Sequence, residues 1–223
     1  MRTPRRLRPL PALVLLALSL LAGACGGDGR LGGPTIGGTP AATVGDTTVS
    51  SGDLADEVEQ WASNPAMLQA IGVPEIGSEG RRASALVSFV LSHRVVSEQA
   101  RTMLAEARDL AESGDVDLAE AGVDGEALAD PQDQEIDSIL EQLDQQFTSP
   151  EGEQVFGAYP EGFRRRLAAD LAFQERLQIP LQLGVEAPAV SINPKFGTAE
   201  ELQGGIVQVV GPVGPRPAPL AEA

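Results

Sequence analysis

Cysteine, histidine, lysine, tryptophan and tyrosine each occur only once among the 223 residues, and aromatic residues reach just 4%. So few rings exclude the aromatic-rich core of a β-sandwich. With 42% apolar residues, mostly Ala, Leu and Val, a mainly α fold with thin helix packing is expected instead. One cysteine excludes an intrachain disulfide, and one cysteine with one histidine leaves a zinc site short of ligands. Positive charge is scarce: 16 Lys and Arg stand against 32 Asp and Glu, for a net charge of −16. A surface of that sign repels phosphate backbones, and no basic stripe offsets it, so no nucleic-acid partner is expected. Long apolar runs are also missing, because Ala12 to Leu21 falls short of the roughly 20 residues that span a bilayer. The length bounds the chain to one modest domain with low-complexity ends.

What charge there is lies unevenly. Arg2, Arg5, Arg6 and Arg8 precede the apolar run, no acid occurs before Asp28, and the small residues Ala22-Gly23-Ala24 lead directly to Cys25. These are the charged, apolar and small-residue regions of a secretory leader over residues 1–24. With a cysteine directly after the small residues, the leader resembles a bacterial lipobox, Ala22 standing where Leu is usual. The resemblance implies cleavage before Cys25, diacylglycerol on its thiol and acylation of the new amino terminus. Several acyl chains anchor stably where one binds only marginally, so the expected location is the extracytoplasmic face of the cell membrane. The other reading of Cys25 is a leftover free thiol. Loss of the leader takes the net charge to −20.

Residues 25–40 follow as a tether: from Gly26 to Pro40 there are seven glycines and two prolines, which cannot bury a core. Residues 211–223 form a Pro-rich tail with polyproline bias. Between them, 41–210 reads as one helical domain.

Ala41 to Val49 carries β-branched residues on both sides of Gly45-Asp46, the pattern of a hairpin. Ser50 with Asp53 suggests a capping box, Leu54, Val58 and Trp61 follow at helical spacing, and Asn64-Pro65 stops that helix. A central helix from about Glu79 to Glu112 places Phe89, Val96, Ala100, Met103, Ala107 and Leu110 on one stripe. Asp130-Pro131 is expected to open the next helix, with Ile136, Ile139, Leu140, Leu143 and Phe147 as its apolar face. Phe163, Leu167 and Leu171 mark the last long helix, closed by Pro180. Ala189 to Ile192 reads as a strand, Asn193 to Gly197 as a turn, Thr198 with Glu201 as one more helix cap, and Ile206 to Val210 as a strand or ordered tail.

Two segments carry a family resemblance. Ala42 to Leu54, with Val44, the Gly45-Asp46 turn, Val49-Ser50 and the acidic-Leu pair Asp53-Leu54, resembles the opening of the SurA-type chaperone N-terminal domain. Val190-Ser191-Ile192-Asn193-Pro194-Lys195-Phe196-Gly197 is similar to the closing segment of SurA-like lipoproteins of high-GC Gram-positive bacteria, Lys195 replacing Arg. The resemblance implies that opening and closing strands pair, so that a small sheet brackets the helices. It also implies binding of unfolded or exported polypeptides outside the cytoplasm. The parvulin module that often accompanies this domain has no counterpart here, so isomerase activity is not expected.

Candidate chemistry is sparse. His93 falls between Phe89 and Val96 on the apolar stripe, a position for a core or half-buried histidine rather than a base or ligand. Asp115, Asp117 and Glu126 sit at positions 1, 3 and 12 of a calcium loop, yet Ala119 and Glu120 occupy positions 5 and 6, where a ligand and the turn glycine belong. A solvated acidic loop is expected there, with no metal and no cofactor. Consecutive Arg164, Arg165 and Arg166 spread around a helix as a solvated flank or as a partner contact. Trp61 and Phe163 either line a peptide groove or belong to the core. The chain is thus expected to be a non-enzymatic, chaperone-like binder, or a scaffold lipoprotein holding one folded partner. Binding would be apolar, persist at moderate salt and favour basic, aromatic-rich clients.

Overall fold

The computed structural model describes residues 39–73, 79–148, 152 and 154–211. The leader, Cys25, the tether as far as residue 38 and the tail from residue 212 lie outside the described residues.

The chain opens with strands β1 (Pro40–Val44) and β2 (Thr47–Ser50), then helices α1 (Ser51–Ala62), α2 (Pro65–Ala70) and the long α3 (Glu79–Ser113). Next come α4 (Leu118–Ala121), a 3-10 turn (Gly125–Leu128), α5 (Asp133–Gln146), a second 3-10 turn (Phe156–Ala158), α6 (Glu161–Glu175) and α7 (Gln178–Gln182). Strands β3 (Val190–Ile192), β4 (Thr198–Glu201) and β5 (Val207–Val210) close the described chain. The fold is mainly helical with two small antiparallel sheets, one ordered β2-β1-β3 and the other β4-β5.

The opening hairpin forms around Gly45, whose φ of 53° lies in the left-handed region that glycine adopts without steric cost. The closing strand pairs with the opening one as expected, Val44 opposite Val190 and Ala42 opposite Ile192. Asn193 staples the junction, its backbone N–H donating to the Ala41 carbonyl at 2.9 Å and its side chain to that of Pro40 at 3.1 Å. At the start of α1 the Ser50 hydroxyl oxygen accepts from the Asp53 N–H at 3.0 Å and donates to the Asp53 carboxylate at 2.7 Å. Asn64 both ends that helix and caps the next, accepting from the Met67 N–H at 3.1 Å.

Helix α3 is the spine, packing against α1, α6, α7, β1 and β5. Of the stripe expected along it, Ala100, Met103 and Ala107 are buried, whereas Phe89, Val96 and Leu110 are only half-buried, and Val90, Leu91, Val95 and Leu104 lie deeper. A helix with strands on one side and helices on another buries more than one face, which a single-stripe reading misses. Strand β5 lies directly on it: the Ser92 hydroxyl accepts from the Val209 N–H at 3.1 Å and the Gln99 side-chain oxygen from that of Val207 at 2.9 Å. Two backbone donors that β4 leaves free are thereby satisfied.

Three boundaries differ from expectation. Thr198 and Glu201 do not cap a helix: they belong to β4, paired residue for residue with β5 from Thr198 opposite Val210 to Glu201 opposite Val207. Asp130-Pro131 precedes α5 rather than opening it; Gln132 is the N-cap residue, and the Asp130 carboxylate instead accepts from Arg108 at 2.8 Å. Pro180 does not close α6, which stops at Glu175; the proline sits buried inside the separate short helix α7. Its missing N–H falls within the first turn of that helix, where no intrahelical acceptor is needed.

Candidate functional site

Three places bear on function: an aromatic cluster, a buried ionic network beside it, and a thinly covered acidic pole at the far end of α3.

Trp61 on α1 and Phe163 on α6 are 4% and 5% exposed. Their ring centroids lie 5.7 Å apart at an interplanar angle of 84°, and Phe89 and Tyr159 complete the edge-to-face set at 5.0 and 5.8 Å from Trp61. The Tyr159 hydroxyl donates to the Trp61 carbonyl at 3.1 Å, and burial pushes its pKa well up, so it stays a donor. Of the two alternatives for Trp61 and Phe163, groove or core, the structure places both rings in the core, because tryptophan and phenylalanine on facing helices gain most by burying each other.

Next to the rings, α1, α3 and α6 each send a carboxylate or imidazole into the core. Asp170 is fully buried and Glu57 is 2% exposed. The Asp170 carboxylate pairs with the Arg101 guanidinium, and its other oxygen lies 3.9 Å from His93 Nδ1. Glu57 Oε2 sits 3.5 Å from Arg94 Nε and 3.3 Å from Arg166 Nη2. Burial raises the Glu57 pKa, with Arg166 and Arg94 pulling it back. Burial lowers that of His93; Asp170 opposes the shift, and Arg94, Arg166 and Arg101 reinforce it. His93 is therefore neutral at neutral pH, in the core position its spacing implied. Ser97, one turn on, donates to the His93 carbonyl at 2.8 Å and accepts from Gln174 at 2.8 Å, so its hydroxyl is committed to structure. The network ties three helices together and offers no reachable nucleophile.

Of the three consecutive arginines, Arg165 stays on the solvated flank, whereas Arg164 and Arg166 are paired with half-buried and buried carboxylates. Arg164 pairs with Asp144, Arg165 with Asp133 and Asp137 at 2.8 and 2.6 Å, and Arg166 with Glu57, so α6 is laced to α5 and α1. Arg166 also lies 5.1 Å over the Phe163 ring.

At the other end of α3, Asp117 and Asp124 spend their carboxylates on capping: Asp117 accepts from the Ala119 and Glu120 N–H groups, and Asp124 from that of Glu126. Among the described residues, no group of three or more His, Cys, Asp or Glu is arranged to hold a metal ion. Between α3, α4 and the first 3-10 turn lies a shallow depression of about 370 Å³, lined by Arg108, Ala111, Leu118 and Leu128 among others.

Glu57 and Asp170 were not singled out from the sequence, although the signal existed. Glu57 lies three residues after Leu54 and four before Trp61, and Asp170 three after Leu167, so both interrupt an apolar stripe at a core position. No protein-family model, curated protein or solved structure matches this chain.

Proposed function

We propose that the chain is a lipid-anchored protein of the extracytoplasmic membrane face whose helical domain binds unfolded or exported polypeptides without catalysing a reaction. The observation that carries this reading is the apolar cluster around the second half of α3. There, ten half-buried hydrophobic residues, among them Leu110, Leu118, Phe173, Ile179, Leu181 and Leu183, surround eight buried ones. Partly covered apolar surface of this kind suits weak, broad capture of non-native chains. The leader over residues 1–24 with Cys25 directly after it, and the resemblance of residues 42–54 and 190–197 to SurA-type chaperones, support the same reading. The paired β1 and β3 strands are also what that resemblance implies.

A second reading, a non-catalytic scaffold for one folded envelope partner, is favoured by the closed Trp61-Phe163 cluster, whose rings are spent on the core and line no groove. Two measurements decide. Cys25→Ser should move the protein from the membrane to the soluble fraction, and persistent detergent-dependent retention would overturn the anchor. The chain from residue 25 should suppress aggregation of a chemically unfolded model protein at near-stoichiometric ratio, whereas full aggregation with no binding would leave the scaffold reading in its place.

A further inference from the structure

The residues that follow Ala105 along α3 and run through α4 to the start of α5 carry most of one sign. Glu106, Asp109, Glu112, Asp115, Asp117, Glu120, Asp124, Glu126, Asp130 and Asp133 all lie here, and Arg108 is the single base among them. All ten carboxylate residues are exposed. Arg108 is already engaged, donating to the Leu128 carbonyl at 2.7 Å and to Asp130 at 2.8 Å. Carboxylates alone make no site. The apolar depression lies within the same segments: Leu128 in its lining is buried, Ala111 and Leu118 are half-buried, and the exposed Glu112 is one of the ten carboxylate residues that lines it directly.

We infer that this depression docks a polypeptide segment carrying both apolar and basic side chains, the apolar one seated on Ala111, Leu118 and Leu128 and the basic ones facing the surrounding carboxylates. Charge decides the occupant. A second copy of this strongly acidic chain, an anionic bilayer and a nucleic acid are all repelled by a surface of this sign, while a basic segment is drawn in. Position agrees. The tether enters β1 at Pro40, whose carbonyl accepts from Asn193, and the turn that Asn193 opens reaches α3 at Ser88, whose hydroxyl donates to the Phe196 carbonyl at 3.5 Å; Ala111 lies 23 residues further along the helix. At 1.5 Å per residue the depression stands on the order of 30 Å from the point where the tether joins the domain. The inference rests on the polypeptide-binding reading and names the client class and the face that takes it.

The test uses the chain from residue 25 with Cys25→Ser and three short peptides: one of leucine and lysine, the same with glutamate for lysine, and one of lysine alone. The leucine-lysine peptide should bind at least about tenfold tighter than the other two, and its affinity should fall only partway as salt rises, the charge contribution being screened beyond ~8 Å at physiological strength while the apolar contact persists. The triple variant Glu112→Gln, Asp115→Asn, Glu126→Gln spares the capping aspartates, so its melting temperature should match the parent while the peptide binds several-fold more weakly. Leu118→Asn should weaken the leucine-lysine peptide and leave the lysine peptide unaffected. Unchanged binding in these variants, or equal binding of all three peptides, overturns the site; if unfolded model proteins are still captured, the broader reading stands. Failure to bind any peptide or any unfolded protein overturns both.

Discussion

One helix builds two cores of different quality. The first half of α3 contributes Leu86, Val90, Leu91 and Val95 to a cluster sealed by Trp61, Phe147, Phe156, Tyr159 and Phe163, with 25 buried apolar residues against ten half-buried. The second half contributes Ala100, Met103, Leu104 and Ala107 to a cluster in which half-buried residues outnumber buried ones; among the described residues its one ring, Phe173, is itself half-buried beneath Arg101. The first half is covered by whole helices and a sheet. The second is covered by α7 and by α4, a helix of four residues. Where the chain supplies large rings from facing helices the core closes. Where it supplies aliphatic residues on short turns, apolar surface is left showing. Under the proposed polypeptide-binding reading, the sealed end supplies the closed core and the thin end supplies the apolar surface.

The sharpest way to break this comparison is to truncate one residue in each cluster. Trp61→Ala should cost about 3–5 kcal/mol in denaturant unfolding, as expected for a large ring removed from a core that cannot collapse around the hole. Leu118→Ala should cost under about 1 kcal/mol, because its side chain is only half removed from water. Equal costs would erase the distinction between sealed and open ends.

Next in size is the ionic network beside the rings. Asp170→Ala leaves the Arg101 guanidinium without its buried partner and should destabilise by about 3 kcal/mol, the usual penalty for breaking such a pair. The corresponding change at the open end, Asp130→Ala opposite Arg108, should cost little, since the Asp130 side chain is 74% exposed and water replaces it. Melting temperatures of the two variants measure the contrast directly.

The smallest effect is a slope. The folded-state pKa of His93 lies below its ordinary 6.5, so as pH falls through 6.5 the unfolded chain binds a proton that the fold refuses. This group's contribution is complete above that pH and is lost below it, by at most about 1.4 kcal/mol per pH unit. Glu57 acts in the opposite direction: its raised pKa lets the fold keep a proton after the unfolded chain has released one, so its contribution falls as pH rises above 4.5. His93→Gln should therefore flatten the decline of melting temperature between about pH 7 and 5, and Glu57→Gln should steepen it. Substitutions at the open end should leave the slope unchanged, and a parallel profile for His93→Gln would show that the imidazole does not titrate against the core.

Local pattern alone determined much of this protein. The hairpin at Gly45-Asp46, the Ser50 cap, the extent of α3 and the strand at Val190 each depend on a few neighbouring residues whose backbone preferences and spacing are visible in the chain. Pairing of β1 with β3 spans most of the domain and came from resemblance rather than periodicity. Tertiary structure decided the rest. Thr198 and Glu201 have the spacing of a cap, yet β5 opposite them offers a ladder of backbone hydrogen bonds, and distant pairing outweighed a local one. Arg164, Arg165 and Arg166 look like a solvated run until α5 and α1 bring carboxylates to meet them. Whether Trp61 and Phe163 face a groove or each other depends on how α1 and α6 approach across α3, and spacing within either helix is silent on that distance. The acids between Glu106 and Asp133 were countable from the start. That an apolar depression lies among the segments that carry them follows only from where α4 and the 3-10 turn before α5 settle on α3, because its lining residues come from three separate segments.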